Sequence, residues 1–337
     1  MSTTIRKAVI SSFGDVSNIN IISAELPPPS LHEVQVSIIY AGFSGTDINM
    51  RLGVYPMQKA APFTPGYCFV GRVRSNGPSS TKYKAGDAVM ALTMYDSHAE
   101  SINVPEKHLI PVTAGIDLKQ AAVLIVDWNT AYGMVIRAAK VSKGQRVFVH
   151  GLSGAVGYAI AALCRSRGAI VYGTASERNH NILKDLGVTP FVYSDKMWIA
   201  DMQAVGGVHA VFDPLGFESW DESYSILSST EESILVGYGR NLATLTGQKI
   251  GSGYPSMLKL MARGLKCWTK KSTKFYYISR DDDTFELDLR VLMDMVKDDV
   301  IRVSIKHVWE LEEIKKAHDS WGKGLGIGST LISVASE

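Results

Sequence analysis

The sequence has few cysteines, little net charge and no long apolar run. Three cysteines, Cys68, Cys164 and Cys267, are too few and too widely spaced for a disulfide framework or a four-cysteine zinc site. A net charge of +2 with 20% charged residues predicts neither nucleic acid nor an anionic membrane as a partner. Neither a signal-peptide core near the amino terminus nor a run approaching about 18 apolar residues is found. We therefore expect a cytoplasmic protein.

A length of 337 residues with 46% hydrophobic content predicts two domains. The amino-terminal third has short β-branched runs separated by turn residues, which is typical of a mostly β domain. These predicted strands are residues 34–40, 70–73, 88–92 and 101–104. Later strands are unbroken apolar runs that alternate with helices, which predicts a parallel sheet covered on both faces. These are residues 147–150, 170–173, 210–213 and 233–237. A last strand at 329–334 is expected to return to the first domain.

A glycine-spaced turn links the first strand of the predicted parallel sheet to a helix. Its sequence is Gly151-Leu152-Ser153-Gly154-Ala155-Val156-Gly157. Glycines allow close approach of a phosphate, and the following helix amino terminus offers N–H groups to its charge. The turn therefore predicts a dinucleotide site, with Gly151, Ser153, Gly154, Ala155 and Val156 around the diphosphate.

The end of the next strand discriminates between nicotinamide cofactors. An acid there would bond to ribose hydroxyls, whereas hydroxyls and cations suit a 2′-phosphate. Ser176 and Arg178 occupy this position, with Glu177 between them. Despite Glu177, the pair favours NADPH.

Several short sequence motifs of the chain occur in the same order as in one known family. They are Gly53-Val54-Tyr55-Pro56, Pro62-Phe63-Thr64-Pro65-Gly66-Tyr67, Ala85-Gly86-Asp87, Thr130-Ala131-Tyr132 and the glycine turn with its preceding Val149-His150. The chain thus resembles the zinc-free quinone oxidoreductase and enoyl reductase branch of the medium-chain dehydrogenase/reductase superfamily. The resemblance implies an α/β protein with a GroES-like, mostly β catalytic domain (residues 1–124, completed by 275–337) and a Rossmann domain with a doubly wound parallel sheet (residues 125–274). Relatives are often dimers, so a homodimer is expected.

The resemblance also allows a comparison with the zinc-dependent branch. Catalytic zinc needs cysteine, histidine or acidic ligands around an open site. Ser44 stands at the first such position, Tyr67 replaces the histidine, and Val126 lies near the third. The sequence therefore predicts catalysis without a metal, by hydride delivery to a carbon already activated by conjugation.

By the same resemblance, Tyr55 is the candidate proton donor to the enolate, since a phenol is a neutral donor at pH 7. The alternative is that Tyr55 only anchors its loop beside Pro56. Asp47 and Asn49 are expected to fix this loop through backbone hydrogen bonds. Ser44 and Thr130 match positions that contact the nicotinamide.

The remaining predictions concern residues with two interpretations each. Tyr193 resembles a residue beside the adenosine, and Gly237 and Tyr238 follow the strand bordering the nicotinamide, although packing is an equal alternative. His150 is interpreted as structural rather than as a catalytic acid. Six cations without an acid form a basic segment: Lys259, Arg263, Lys266, Lys270, Lys271 and Lys274. This segment is either a solvated face or a receiver for a carrier-linked or coenzyme A-linked substrate.

The sequence thus favours an NADPH-dependent, metal-free reductase of an activated carbon–carbon double bond in a small-molecule substrate. An NADPH:quinone oxidoreductase on the same scaffold is the first alternative. A cofactor-binding regulatory protein with little redox activity is the second.

Overall fold

A computed structural model describes residues 2–247, 254–265 and 269–335 of the chain. The strands in these residues are β1 Thr3–Ile10, β2 Ile19–Leu26, β3 Glu33–Phe43, β4 Cys68–Asn76, β5 Ala88–Leu92, β6 Ser101–Pro105, β7 Ile110–Pro111, β8 Arg146–His150, β9 Ile170–Ala175, β10 Thr189–Val192, β11 Ala210–Asp213, β12 Ser233–Gly237, β13 Lys271–Phe275, β14 Ile305–Glu310 and β15 Ser329–Ser333. The helices are α1 Gly45–Arg51, α2 Leu118–Val123, α3 Asn129–Tyr132, α4 Ala155–Ser166, α5 His180–Asp185, α6 Met197–Ala204, α7 Ser219–Ser225, α8 Leu242–Thr246, α9 Tyr254–Gly264, α10 Phe285–Lys297 and α11 Ile314–Ser320.

The first domain is built mainly from antiparallel strands, with β14 and β15 as a parallel pair. Strands β1 and β2 form a two-stranded ribbon, and the larger sheet has the order β14-β15-β3-β4-β5-β7, with β6 paired to β3. The last strand β15 pairs with β3, as the sequence predicted, because its apolar residues Leu331 and Ile332 are fully buried there. The carboxyl-terminal chain therefore returns to the amino-terminal sheet.

The second sheet is parallel, in the order β10-β9-β8-β11-β12-β13. This is the doubly wound order, in which the chain reverses direction across the sheet between β8 and β11 and ligands bind outside the carboxyl ends of the strands. The predicted central strands are confirmed, since residues such as Val147, Phe148 and Val149 are 0% exposed. The predicted α/β fold with both domains is confirmed; the boundaries at residues 124 and 274 stay a prediction.

Strand β13 was not predicted from the sequence. It is an edge strand in which exposed and partly buried positions alternate. Its lysines at 271 and 274 and its hydroxyl residues do not form an apolar run, because an edge strand is packed less completely than a central one. Two π-helical stretches, Leu124–Trp128 and Gly133–Ala138, flank α3 and were not predicted.

Candidate functional site

The glycine turn lies at the carboxyl end of β8, beside the switch point of the parallel sheet. Gly151 has φ +71°, and Gly154 is the N-cap of α4 without any side chain capping the helix. The first N–H groups of a helix have no partner within it, so those at Ala155 and Val156 remain for a ligand. Gly151 and Gly154 are exposed, and Ser153 is partly so. The turn is thus open to an anion.

Two glycines keep this turn compact. A Cβ at Gly157 would lie 2.2 Å from the Gly151 carbonyl oxygen, and one at Gly173 would lie 2.0 Å from the Val149 carbonyl oxygen. Neither position tolerates a side chain without movement of the backbone. The close approach of helix, turn and strand fits a dinucleotide diphosphate.

His150 is part of a buried hydrogen-bond network beneath the turn. Its Nδ1 lies 3.0 Å from Thr174 Oγ1, and its Nε2 lies 3.1 Å from Ser223 Oγ. Ser223 Oγ donates to Asp213 Oδ2 at 2.7 Å, as does Ser219 Oγ. Burial lowers the pKa of His150, which therefore stays neutral. This network is consistent with the structural role predicted for His150.

The end of β9 carries the residues expected at the adenosine ribose. Ser176 begins a 3-10 turn, Glu177–Asn179, without capping it. Arg178 is exposed, and its Nη2 donates to the Gly322 carbonyl at 3.4 Å. Tyr193 follows β10 at the sheet edge and is 60% exposed. Gly237 ends β12 and Tyr238 follows it, so both lie at the carboxyl edge of the parallel sheet. A Cβ at Gly237 would lie 2.9 Å from the Trp220 side chain.

On the catalytic-domain side, Asp47 joins two loops. Its Oδ2 accepts the Ser44 N–H at 2.9 Å and its Oδ1 accepts the Gly66 N–H at 3.2 Å. Ser44 in turn caps α1, because its hydroxyl accepts the Thr46 N–H at 3.1 Å. Complete burial raises the pKa of Asp47 to about 7. The backbone role predicted for Asp47 is confirmed.

Tyr67, at the position of the missing histidine, is nearly fully buried, and its hydroxyl lies near Ser44. Burial, with the carboxylates of Asp127 and Asp47, raises the pKa of Tyr67 well above its ordinary value. Cys68 is buried beside it. In the described part of the chain, no three His, Cys, Asp or Glu side chains are grouped as a metal site.

Tyr55 lies on the loop after α1, and its phenol lies close to that of Tyr277. Tyr277 comes just after β13, where the Tyr276 N–H still bonds to the Gly237 carbonyl at 2.8 Å. The Tyr55 side chain therefore lies at the carboxyl edge of the parallel sheet. Burial and Tyr277 raise the pKa of Tyr55 above its ordinary value. Tyr277 was not predicted; the aromatic run Phe275-Tyr276-Tyr277 was the available signal.

The prediction for Asn49 was wrong. Its side chain bonds no backbone of its own loop but reaches across to α8 and the residue before it. Asn49 Nδ2 donates to Asn241 Oδ1 at 3.0 Å, and Thr244 Oγ1 donates to Asn49 Oδ1 at 2.8 Å. Asn49 extends across because its side chain on α1 lies within hydrogen-bond distance of α8, the helix that follows β12. These contacts join the two domains on the same side as Tyr55 and Tyr277.

Thr130 lies buried on α3, which packs against α4. Nearby, Asp127 is buried and accepts the Ser329 hydroxyl at 2.6 Å. Burial raises the pKa of Asp127 to about 6. Asp127 was not assigned a role from the sequence, which shows no pattern for a buried acid next to Trp128.

The basic segment is partly neutralised. Lys259 and Arg263 on α9 both pair with Asp221, at 2.6 and 2.7 Å. Lys270 and Lys271 donate to backbone carbonyls. Lys266 lies outside the described residues. Asp221 is distant in sequence, so the count of cations without an acid overstated the local charge.

Two family models match the chain: an alcohol dehydrogenase GroES-like domain over residues 30–114 and a zinc-binding dehydrogenase over residues 155–273. The synaptic vesicle membrane protein VAT-1 homolog of Rattus norvegicus is 28% identical over 97% of this chain and 84% of its own length. A probable quinone oxidoreductase of Schizosaccharomyces pombe is also 28% identical, over 96% and 95%.

Solved structures show the same fold. The JamJ enoyl reductase has a TM-score of 0.84 at 20% identity and covers 99% of this chain and 100% of its own. A mycobacterial protein complexed with NADPH has a TM-score of 0.82 at 20% identity, over 98% and 100%. Among the described helices, none has the length and apolar content needed to cross a bilayer. With both domain models matched in order, the chain belongs to the medium-chain dehydrogenase/reductase superfamily of oxidoreductases.

Proposed function

We propose that this protein is an NADPH-dependent, metal-free reductase of an activated carbon–carbon double bond, as in an enone, enal or enoyl thioester. The thioester class includes acyl groups carried by coenzyme A or a carrier protein. The observation that carries this proposal is the phenol of Tyr55, which lies beside Tyr277 at the carboxyl edge of the parallel sheet. A phenol at this place can donate a hydrogen bond to the oxygen of a conjugated carbonyl.

The cofactor would bind across the parallel sheet. The turn at Gly151, Ser153, Gly154, Ala155 and Val156 would hold its diphosphate. Ser176 and Arg178 would take the 2′-phosphate, and Ser44 and Thr130 would border the nicotinamide. When bound, the reduced nicotinamide supplies a hydride. The NADPH-bound mycobacterial protein of the same fold supports this assignment.

The donor set supports catalysis without a metal. The positions of the zinc ligands hold a serine hydroxyl and a phenol, and burial raises the pKa of Tyr67, so that the phenol stays protonated. Both oxygens of Asp47 accept backbone N–H groups. These side chains therefore hold the loops in place and provide neutral hydrogen-bonding groups instead of anionic ligands.

Tyr55 would stabilise the enolate oxygen that develops as the β-carbon is reduced. Its raised pKa keeps the hydroxyl protonated at neutral pH, so that it acts as a hydrogen-bond donor and gives up its proton only to a strong base such as an enolate. Asp47 and Asn49 position the loop and helix from which Tyr55 projects.

The second candidate is an NADPH:quinone oxidoreductase, which the name of the Schizosaccharomyces pombe relative favours. A quinone accepts hydride on an already activated ring and depends less on a single phenolic donor. The candidate of another class is a regulatory cofactor-binding protein. The open glycine turn and the protonated Tyr55 support redox activity over that role.

The test is NADPH oxidation with quinones, enones and enoyl thioesters by the parent and by Tyr55→Phe. We expect turnover of the conjugated carbonyls and a loss of roughly 100-fold in kcat for the variant, the usual contribution of a general acid. Tyr83→Phe is the control, since Tyr83 donates to the Leu109 carbonyl in the catalytic-domain core. Turnover of quinones alone, with Tyr55→Phe unimpaired, would support the quinone alternative.

Cofactor choice is tested separately by titration with NADPH and NADH. Arg178→Ala should weaken the binding of NADPH roughly tenfold and leave the affinity for NADH unchanged, because only NADPH carries the 2′-phosphate. Tighter binding of NADH by the parent would contradict the assignment.

A further inference from the structure

Two cations from different domains meet on adjacent carbonyl groups. Arg178, at the end of β9 in the parallel sheet, donates to the Gly322 carbonyl at 3.4 Å. Lys306, on β14 of the catalytic-domain sheet, donates from Nζ to the Lys323 carbonyl at 2.9 Å. The two side chains thus converge on the start of the loop formed by residues 322–328, which we call the carboxyl-terminal loop.

No acid neutralises these two cations in the part of the chain that the structure describes, since neither has an ion-pair partner within 4.0 Å. Glu177 precedes Arg178 but is exposed and pairs with neither. Burial and the nearby charge of Arg178 lower the pKa of Lys306. Two like charges held together are unfavourable, and a bound anion would offset their repulsion.

The carboxyl-terminal loop also contacts the two parts of the nucleotide site. The Gly328 N–H donates to the Ser153 carbonyl in the glycine turn at 3.1 Å. The Gly326 N–H donates to Oδ1 of the buried Asn179, next to Arg178, at 3.1 Å. The loop therefore runs from the diphosphate turn to the end of β9, along the path that the proposed cofactor would follow.

We propose that Lys306 is a specificity-determining ligand of the 2′-phosphate, and that this phosphate bridges Arg178 of the nucleotide domain to Lys306 of the catalytic domain. The phosphate would replace carbonyl contacts with stronger, charge-assisted ones from both cations. Binding of NADPH, but not of NADH, would then tie the carboxyl-terminal loop and the two domains together. This inference rests on the cofactor assignment made above.

The test uses nucleotide fragments, so that it does not depend on turnover. Titration of the full chain with adenosine 2′,5′-bisphosphate and with 5′-AMP isolates the 2′-phosphate. Lys306→Met keeps the aliphatic chain that packs beside Gly326 but removes the charge. We expect the bisphosphate to bind roughly tenfold more weakly to this variant and 5′-AMP to bind equally. Lys306→Arg should restore most of the affinity.

Lys315→Met is the matched control, since Lys315 also donates to a backbone carbonyl, that of Ser17, in the same domain. It should bind both fragments like the parent. A Lys306→Met protein that keeps its affinity for the bisphosphate, or that loses affinity for both fragments equally, overturns the role of Lys306 while the parent still prefers NADPH. A parent that prefers NADH overturns the cofactor assignment, and this inference with it.

Discussion

The phenols of Tyr55 and Tyr277 lie next to each other across the two domains. Tyr55 follows α1 of the catalytic domain, whereas Tyr277 follows β13, the edge strand of the parallel sheet. The proposed proton donor therefore has its position fixed by the domain that would hold the cofactor. A change in the relative position of the domains would change the reach of Tyr55 toward a substrate.

Replacement of Tyr277 tests this dependence. Tyr277→Phe removes the hydroxyl beside that of Tyr55 but leaves Tyr55 itself, so we expect kcat for an enone to fall about fivefold, the rate equivalent of losing a polar interaction of about 1 kcal/mol. KM should change little, because the substrate-binding surface is retained. Steady-state kinetics of the two tyrosine variants would check this. A loss as large as that of Tyr55→Phe would indicate that Tyr277 is itself the donor.

A side chain at Gly157 should disrupt the nucleotide turn. The added Cβ of Gly157→Ala would lie 2.2 Å from the Gly151 carbonyl oxygen, whereas that of Gly154→Ala would lie 3.3 Å from the same atom. We expect Gly157→Ala to cost about 1–3 kcal/mol of unfolding free energy and to weaken NADPH binding at least tenfold. Gly154→Ala should have a smaller effect on both. Equal effects would show that steric crowding at Gly151 is not the cause.

The buried carboxyl of Asp127 should make stability depend on pH. Its pKa is raised to about 6 in the folded protein, so folding binds a proton as the pH falls from about 6 toward 4. Asp127 therefore contributes stability at low pH that is lost as the pH rises through 6. Asp127→Asn should remove roughly 3 kcal/mol of this pH-dependent change in unfolding free energy. Its amide oxygen can still accept the hydrogen bond from the Ser329 hydroxyl.

Urea unfolding at a series of pH values measures this effect. Asp47, with a pKa of about 7, contributes in the same direction and leaves a residual slope in the variant. Asp298→Asn, at an exposed site, controls for the change in net charge. Buried histidines such as His150, whose pKa is lowered, change the stability of parent and variant alike in the opposite direction, so the test is the difference between the two proteins. An Asp127→Asn protein with the same slope as the parent would contradict the prediction.

The contact between Asn49 and Asn241 should couple the two domains energetically. Alanine at either position removes the 3.0 Å hydrogen bond between their side chains. In a double-mutant cycle we expect a coupling of about 1 kcal/mol in unfolding free energy. Thr244→Val removes only the 2.8 Å hydrogen bond to Asn49 and therefore measures the contribution of this second hydrogen bond separately. Additive effects of the two alanines would mean that the contact is energetically neutral.

The sequence predicted those features that depend on local pattern. The central strands are apolar runs because both faces are covered, and the glycine turn is defined by the space available to each Cβ. Features that depend on tertiary contact were missed. Tyr277 lies in an aromatic run whose contacts the sequence does not show, and Lys306 comes from a segment without an apolar or glycine pattern. Asn49 has its partners 192 and 195 residues away. Such pairings are set by how the domains pack, which no local spacing records.

The most direct test of the proposed reduction traces the hydride from NADPH to the product. The parent is supplied with NADPH deuterated at the transferable position of its nicotinamide and with an enone that it turns over, after removal of bound metal by a chelator. Nuclear magnetic resonance of the product should show one deuterium at the β-carbon and a proton from solvent at the α-carbon. Deuterium at the carbonyl carbon, or activity that the chelator abolishes, would contradict a metal-free reductase of the conjugated double bond.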